Sequence, residues 1–258
     1  LKPEDYALAL RNANTNKVAI EPLRNHIGVS DIDLAYQIQD VNTDFKVDNG
    51  ARIIGKKIGL TSLAVQKQLG VDQPDFGVLF HDMEILNGLS ISVKELLQPK
   101  AEAEFAFVLG EDLDMEHMTI IDIMSCIDFV LPAIEIVGSR IKNWDIKITD
   151  TVADNASASH YVLGHTPKTL DEIDVVNSKM HMTLNGEVVS QGHGGLCLGS
   201  PLNATLWLAN KMMALGKPLQ AGELILSGAV GPMINISAGD SVEANFEGLG
   251  TVSVHFDA

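Results

Sequence analysis

The chain has 258 residues, 46% of them hydrophobic and 20% charged, enough for one large domain with a substantial core or one domain with a small appendage. Its 34 acidic and 18 basic residues leave a formal net charge of -16, which repels phosphate backbones and argues against nucleic acid as a partner. No apolar run approaches the ~18 residues needed to cross a bilayer, so no membrane partner is expected. The opening Leu1-Lys2-Pro3-Glu4-Asp5 does not read as a signal peptide, and cytoplasm is the expected location.

The first 50 residues read as helical. Helices are expected over 4–14 and 32–45, the second capped by Ser30, with Leu34, Ile38 and Val41 at helical spacing. Asp48-Asn49-Gly50 is a turn signal that closes this helical N-terminal part, 1–50, ahead of a β-rich body, 51–258. A strand is expected over 52–59 and a short helix over 62–69, ended by Gly70. Ser92-Val93-Lys94-Glu95 has the capping-box pattern of a helix of one or two turns. A strand over 101–109 follows, then a helix from Thr119 through Phe129 and a strand over 131–137.

Asn185-Gly186 between alternating runs predicts a hairpin of 180–184 and 187–191. Ser200-Pro201 opens a helix that runs to Leu215 and stops at Gly216. The tail alternates strands (224–227, 233–236, 241–246, 251–256) with glycine turns. No Gly-rich phosphate loop follows a strand and the order is not a regular βαβ alternation, which disfavours a Rossmann or P-loop fold. The fold class expected is α+β with a compact β-rich body.

The chemistry centres on Lys100-Ala101-Glu102-Ala103-Glu104-Phe105-Ala106-Phe107-Val108-Leu109. Side chains alternate along a strand, so Glu102 and Glu104 share a face with Ala106 and Val108, while the other face is wholly apolar. Two adjacent buried carboxylates repel and resist ionisation, and a divalent cation with oxygen ligands relieves both penalties. A solvated strand end is the alternative. Glu135 adds a third acid, alone inside Leu131-Pro132-Ala133-Ile134-Glu135-Ile136-Val137, where an unpaired carboxylate is rare. Three carboxylates without a Cys or His cluster suit Mg2+ or Mn2+ better than Zn2+ and leave positions open for substrate oxygens.

Lys56-Lys57-Ile58-Gly59 sends the two lysines to opposite faces, so one of them can point at the acids or both can be surface residues. Asp75, in Gln73-Pro74-Asp75-Phe76-Gly77, reads locally as a turn former, with a catalytic acid as the alternative. Residues 148–159 are polar and small with neither helical nor strand periodicity. Asp154 and Asn155 within them can orient substrate or water, or serve the loop. The eight histidines show no ligand spacing, and Gly192-His193-Gly194-Gly195 is weak evidence for a phosphate. Cys126 and Cys197 read as free buried thiols of a reducing compartment.

Taken together, several segments resemble the 2-keto-4-pentenoate hydratases (2-hydroxypenta-2,4-dienoate hydratases) of the fumarylacetoacetate hydrolase superfamily. They are Lys57-Ile58-Gly59-Leu60-Thr61, Gly70–Gly77, Pro99–Glu104, Leu131–Arg140, Thr149–Ser157 and Gly199-Ser200-Pro201-Leu202-Asn203, in that order from about Arg52 onward. The resemblance implies a β-rich mixed-sheet roll with a helical N-terminal part, a homo-oligomer, and Mg2+ or Mn2+ on Glu102, Glu104 and Glu135. It also implies catalytic roles for Lys57, Asp75 and Asp154, and substrate contacts from Asn155 and Ser227. Ser227 stands where members often carry Thr, and Ser200 stands where close relatives carry His and is assigned no chemistry. The implied substrate is a small 2-hydroxydienoate, hydrated to a 4-hydroxy-2-oxoacid in meta-cleavage degradation of aromatic compounds. Association with a decarboxylase or aldolase of the same sequence of reactions is also implied. The alternatives are a 4-oxalocrotonate decarboxylase, a carbon–carbon hydrolase of the superfamily, and a non-catalytic metal-stabilised subunit.

Overall fold

The computed structural model describes residues 2–69 and 71–258, without the side chains of Gln68 and Leu69. The expected stop at Gly70 lies outside the described residues. The helices are α1 (Pro3–Asn16), α2 (Arg24–Ile27), α3 (Ile32–Asp48), α4 (Leu63–Leu69), α5 (Ile120–Cys126), α6 (Ile148–Ala153) and α7 (Pro201–Ala214). The strands are β1 (Ile53–Gly59), β2 (Asp75–Phe80), β3 (Glu84–Ile85), β4 (Ser90–Ser92), β5 (Lys100–Leu109), β6 (Ile127–Val137), β7 (Ala158–Leu163), β8 (Lys179–Leu184), β9 (Glu187–His193), β10 (Leu224–Ala229), β11 (Ile234–Asn235), β12 (Ser241–Phe246) and β13 (Gly250–Asp257).

Two mixed sheets form the body. The larger has the order β2-β1-β10-β5-β6-β7-β3 with β11 paired to β5, and the smaller has the order β4-β13-β12-β8-β9. Alternation along the strands builds the main core between them. Ala101, Ala103, Phe105 and Phe107 of β5 and Ile134 and Ile136 of β6 pack with Met182, Val242, Phe246, Val254 and Phe256 of the smaller sheet. The other face of β5 and β6 carries the carboxylates and a smaller cluster of Ala106, Leu131, Ala133, Leu224 and Leu226.

The helical part is joined to the body by a core of its own. Tyr6, Ala7, Leu10, Leu23, Ile27, Ala35 and Ile38 cluster with Ile141, Ile148, Val152 and Ala153; α3 settles on α6, and α1 packs on α3. Arg24 reinforces the seam, its backbone amide and guanidinium both donating to the buried Asp150 carboxylate at 2.9 and 2.6 Å.

Several elements differ from the sequence reading. The cap of α3 is Asp31 rather than Ser30, because the Asp31 carboxylate accepts from the Leu34 amide at 3.0 Å. The helix expected through Phe129 ends at Cys126, because Ile127, Phe129 and Val130 pair in register with Leu109, Val108 and Phe107 of β5. Val93–Glu95 is one 3-10 turn after Ser92. Asp75 opens a strand rather than a turn, because β1 offers a full antiparallel partner from Gly59 back to Ile53. Residues 148–153 form α6, which shows no amphipathic stripe because all six are buried. The Asn185-Gly186 hairpin forms as expected, both residues having positive φ (54° and 86°).

Candidate active site

The three acids converge. Glu102 of β5 and Glu135 of β6 are register partners, and Glu104 follows two residues along on the same face. One carboxylate oxygen from each lies within 4.8 Å of the other two. Glu104 and Glu135 are fully buried and Glu102 is half-buried. Glu104 Oε2 accepts from the Gly228 amide at 2.8 Å, made possible by the register shift of β10 against β5 between Leu226 and Ala229. Glu104 Oε1 and Glu135 Oε1 have no hydrogen-bond partner, and Glu135 Oε2 has only the Lys57 ammonium at 3.2 Å. Burial, then the charge of Glu135, push Glu102 up to about 7 and Glu104 well above the carboxylate range. Burial also raises Glu135, opposed by Lys57. Three converging carboxylates, with orphaned buried oxygens on Glu104 and Glu135, are a donor set that can hold a hard divalent cation.

Lys57 is the lysine of the pair that faces the acids. Its Nζ lies 3.2 Å from Glu135 Oε2 and donates to the Ala156 carbonyl at 2.9 Å. Burial alone would lower its pKa, but Glu135, Asp75, Glu102 and Glu104 outweigh this and hold it as an ammonium. Lys56 points the other way, to Glu223 at 3.2 Å.

Asp75 sits opposite Gly59 in the β1–β2 pairing. A Cβ at Gly59 would overlap Asp75 Oδ1 and come within 3.5 Å of Lys57 Nζ, so the bare glycine leaves the space that the Asp75 carboxylate occupies on the side of the lysine. Asp75 is 1% exposed, and both its oxygens lack a geometric hydrogen-bond partner. Burial raises it, opposed chiefly by Lys57. The turn reading of the sequence hid this placement. What exposes it is the antiparallel pairing with β1, which no local pattern announces.

The remaining expected residues lie around this centre with protein partners of their own. Asp154 is clamped by Arg140, whose amide donates to Oδ2 at 2.9 Å and whose Nε donates to Oδ1. Asn155 spends both ends of its amide on Val78, accepting from its N–H at 2.7 Å and donating to its carbonyl at 2.9 Å. The Ser227 hydroxyl donates to the Gly228 carbonyl at 3.3 Å, and the Ser227 carbonyl accepts from the Cys197 thiol at 3.0 Å. Three residues with a part in this geometry escaped the sequence reading. Arg140 holds Asp154, Ala156 receives Lys57 through its carbonyl, and Gly228 caps Glu104; two of the three act through backbone atoms, which leave no trace in residue type.

Residues 58–256 match the family described as Fumarylacetoacetate (FAA) hydrolase C-terminal. The chain is 53% identical over 247 residues to a TodF product hydratase of Pseudomonas putida, covering 96% of this chain and 92% of that one. It is 49% identical over 256 residues to 2-keto-4-pentenoate hydratase 1 of Dechloromonas aromatica, covering 99% and 97%. Among solved structures it superposes on 4-oxalocrotonate decarboxylase from Pseudomonas putida G7, complexed with magnesium and adipate. That match has a TM-score of 0.95 and 32% identity and covers 99% of this chain and 98% of that one. With a β-rich mixed fold, a family match over most of its length and relatives at about half identity, the chain belongs to the fumarylacetoacetate hydrolase family.

Proposed function

We propose that this chain is a divalent-metal-dependent hydro-lyase that adds water to 2-hydroxypenta-2,4-dienoate or a close homologue, giving 4-hydroxy-2-oxopentanoate. One observation carries the reading: Glu102, Glu104 and Glu135 converge within 4.8 Å beside Lys57 and Asp75. The hydratase names of relatives at 49–53% identity favour hydration over decarboxylation, the superposed decarboxylase being 32% identical.

Glu102, Glu104 and Glu135 would hold Mg2+ or Mn2+, which when bound supplies Lewis acidity toward the substrate's carboxylate and 2-oxygen. The chain's own groups handle the protons. Net reaction moves the enol proton to the terminal carbon and then adds H and OH across the 3,4 bond. Asp75, buried and without a hydrogen-bond partner, is placed to take and return a proton. Lys57 presents an N–H donor fixed by Glu135 and Ala156, suited to the oxygen on which charge builds. Asp154, Asn155 and Ser227 shape the wall around these groups through the contacts described above.

Exposed Val188 and Val189 on the edge strand β9 favour an interface, either in a homo-oligomer or with a decarboxylase or aldolase. Two buried free thiols favour a reducing, cytoplasmic location. No helix among the described residues is long and apolar enough to cross a membrane.

The test is the loss of the dienol's ultraviolet absorbance on adding the protein, with Mg2+, with Mn2+ and with chelator, and the mass of the product. Metal-dependent loss with a gain of one water is the expected result. No loss, or a product without added water, overturns hydration and directs the next assay to 4-oxalocrotonate.

A further inference from the structure

Asn155, Ala156 and Ser157 form a run of three left-handed non-glycine residues, with φ of 53°, 49° and 59°. Asn tolerates that region better than most residues, but Ala and Ser gain nothing from it, and three in succession persist only when their surroundings hold them. The anchors are visible on both flanks. Before the run, Arg140 clamps the Asp154 carboxylate and also donates to its carbonyl at 2.6 Å. After it, the Ser157 carbonyl accepts from the Gly138 amide at 2.9 Å.

The central anchor is the Asn155 side chain. β2 is an edge strand of the larger sheet, so its outward amide and carbonyl groups need partners. The Asn155 carboxamide meets the N–H and C=O of Val78 as a neighbouring strand would. Gly77, beside it, has no side chain, and a Cβ there would overlap the Asn155 carbonyl. The turn is thereby pressed against β2 one residue from Val78, where Gly77 pairs in register with Lys57. From that seat the next carbonyl, of Ala156, accepts from Lys57 Nζ.

We infer that Asn155 is a positioning residue: its carboxamide docks the left-handed turn on the edge of β2, so that the Ala156 carbonyl fixes the Lys57 ammonium against the carboxylates. Asn155 acts through Lys57 and does not touch substrate. The inference rests on the reading of Lys57 as part of the active site.

The test compares Asn155→Gly with Asn155→Ala in the metal-loaded protein. Both lose the carboxamide, but only glycine enters the left-handed region freely. The expected order for kcat is wild type, then Gly, then Ala, with roughly tenfold between the two variants. The thermal midpoint should follow the same order, and the affinity for pyruvate, an unreactive 2-oxoacid, should stay within about twofold of wild type. Wild-type kcat in either variant, or pyruvate affinity lost in step with kcat, would overturn the positioning role. If Asn155→Ala does not fold, Asn155→Gly alone decides by the split between kcat and pyruvate affinity. A wild-type protein without dienol turnover would sink the hydratase reading, and the order of thermal midpoints would still decide the role of Asn155.

Discussion

Glu102 and Glu135 stand directly opposite each other in the β5–β6 ladder, on the face turned away from the core between the sheets. Facing like charges destabilise a cross-strand pair, so this ladder is held at a cost in the absence of a counter-charge. Lys57 answers one charge and leaves the others.

Glu104→Gln removes one of the three acids while its neutral amide still fits the buried space. The variant is expected to unfold in chelator at the same temperature as wild type or slightly higher, since a source of repulsion is gone. Wild type should gain roughly 2.7 kcal/mol at a metal concentration about 100 times its dissociation constant. That corresponds to roughly 5–10 °C for a chain of this size. The variant should gain little. Thermal unfolding with and without Mg2+ or Mn2+ reads this, and a full metal-induced shift in Glu104→Gln refutes the ligand assignment.

The placing of Asp75 over Gly59 can be tested without changing Asp75 or Lys57. Gly59→Ala puts a methyl group where Asp75 Oδ1 lies, forcing the carboxylate away from Lys57. Turnover of the dienol should fall by about 10²-fold or more, on the scale of losing a general acid or base, and Asp75→Asn should fall by a similar factor. Metal affinity should be unchanged in both, because neither residue belongs to the carboxylate trio. A Gly59→Ala protein with ordinary kcat would show that the position of the Asp75 carboxylate over Gly59 is incidental.

The parts of this site that were legible in the sequence are those set by alternation along one strand. Glu102 and Glu104 stand out because a period of two places them together in an otherwise apolar run, and Glu135 because an acid has no ordinary reason to sit in Ile134-Glu135-Ile136. The hairpin at Asn185-Gly186 and the start of α7 were legible from local turn and cap chemistry. What was not legible depends on partners distant in sequence. Asp75 looks like a turn residue until β1 is laid beside it, and the Asp154–Arg140 clamp joins residues 14 apart. The end of α5 was misplaced because Ile127, Phe129 and Val130 suit a helix core as well as a strand, and only pairing with β5 decides.

His160, on β7, gives the fold a pH dependence of known sign. Burial, then the nearby charge of Lys17, lower it from 6.5 to about 4, so the folded state favours the neutral ring. Between about pH 6.5 and 4 the unfolded chain binds the proton that the folded chain refuses. The stabilisation from this residue is complete above about 6.5 and is lost as pH falls toward 4, by roughly 3 kcal/mol at most. Urea unfolding across this range should show wild type losing more stability than His160→Gln. Parallel pH profiles for the two proteins would remove His160 as the cause.

Gln39 of α3 ties that helix to β2 and α6 through one buried side chain. Its Nε2 donates to the Phe76 carbonyl of β2 at 3.0 Å and to the Val152 carbonyl of α6 at 2.9 Å. The amide thus joins α3, the strand that begins with Asp75, and the helix that leads into Asp154. Gln39→Leu keeps the volume and strands both carbonyls, a loss of roughly 1–3 kcal/mol for a buried group left unsatisfied. Because Phe76 follows Asp75 directly, the change should also lower kcat while metal affinity holds. The measurement is urea unfolding beside steady-state kinetics. Lost stability with unchanged kcat would mean that α3 supports the body without setting the position of β2.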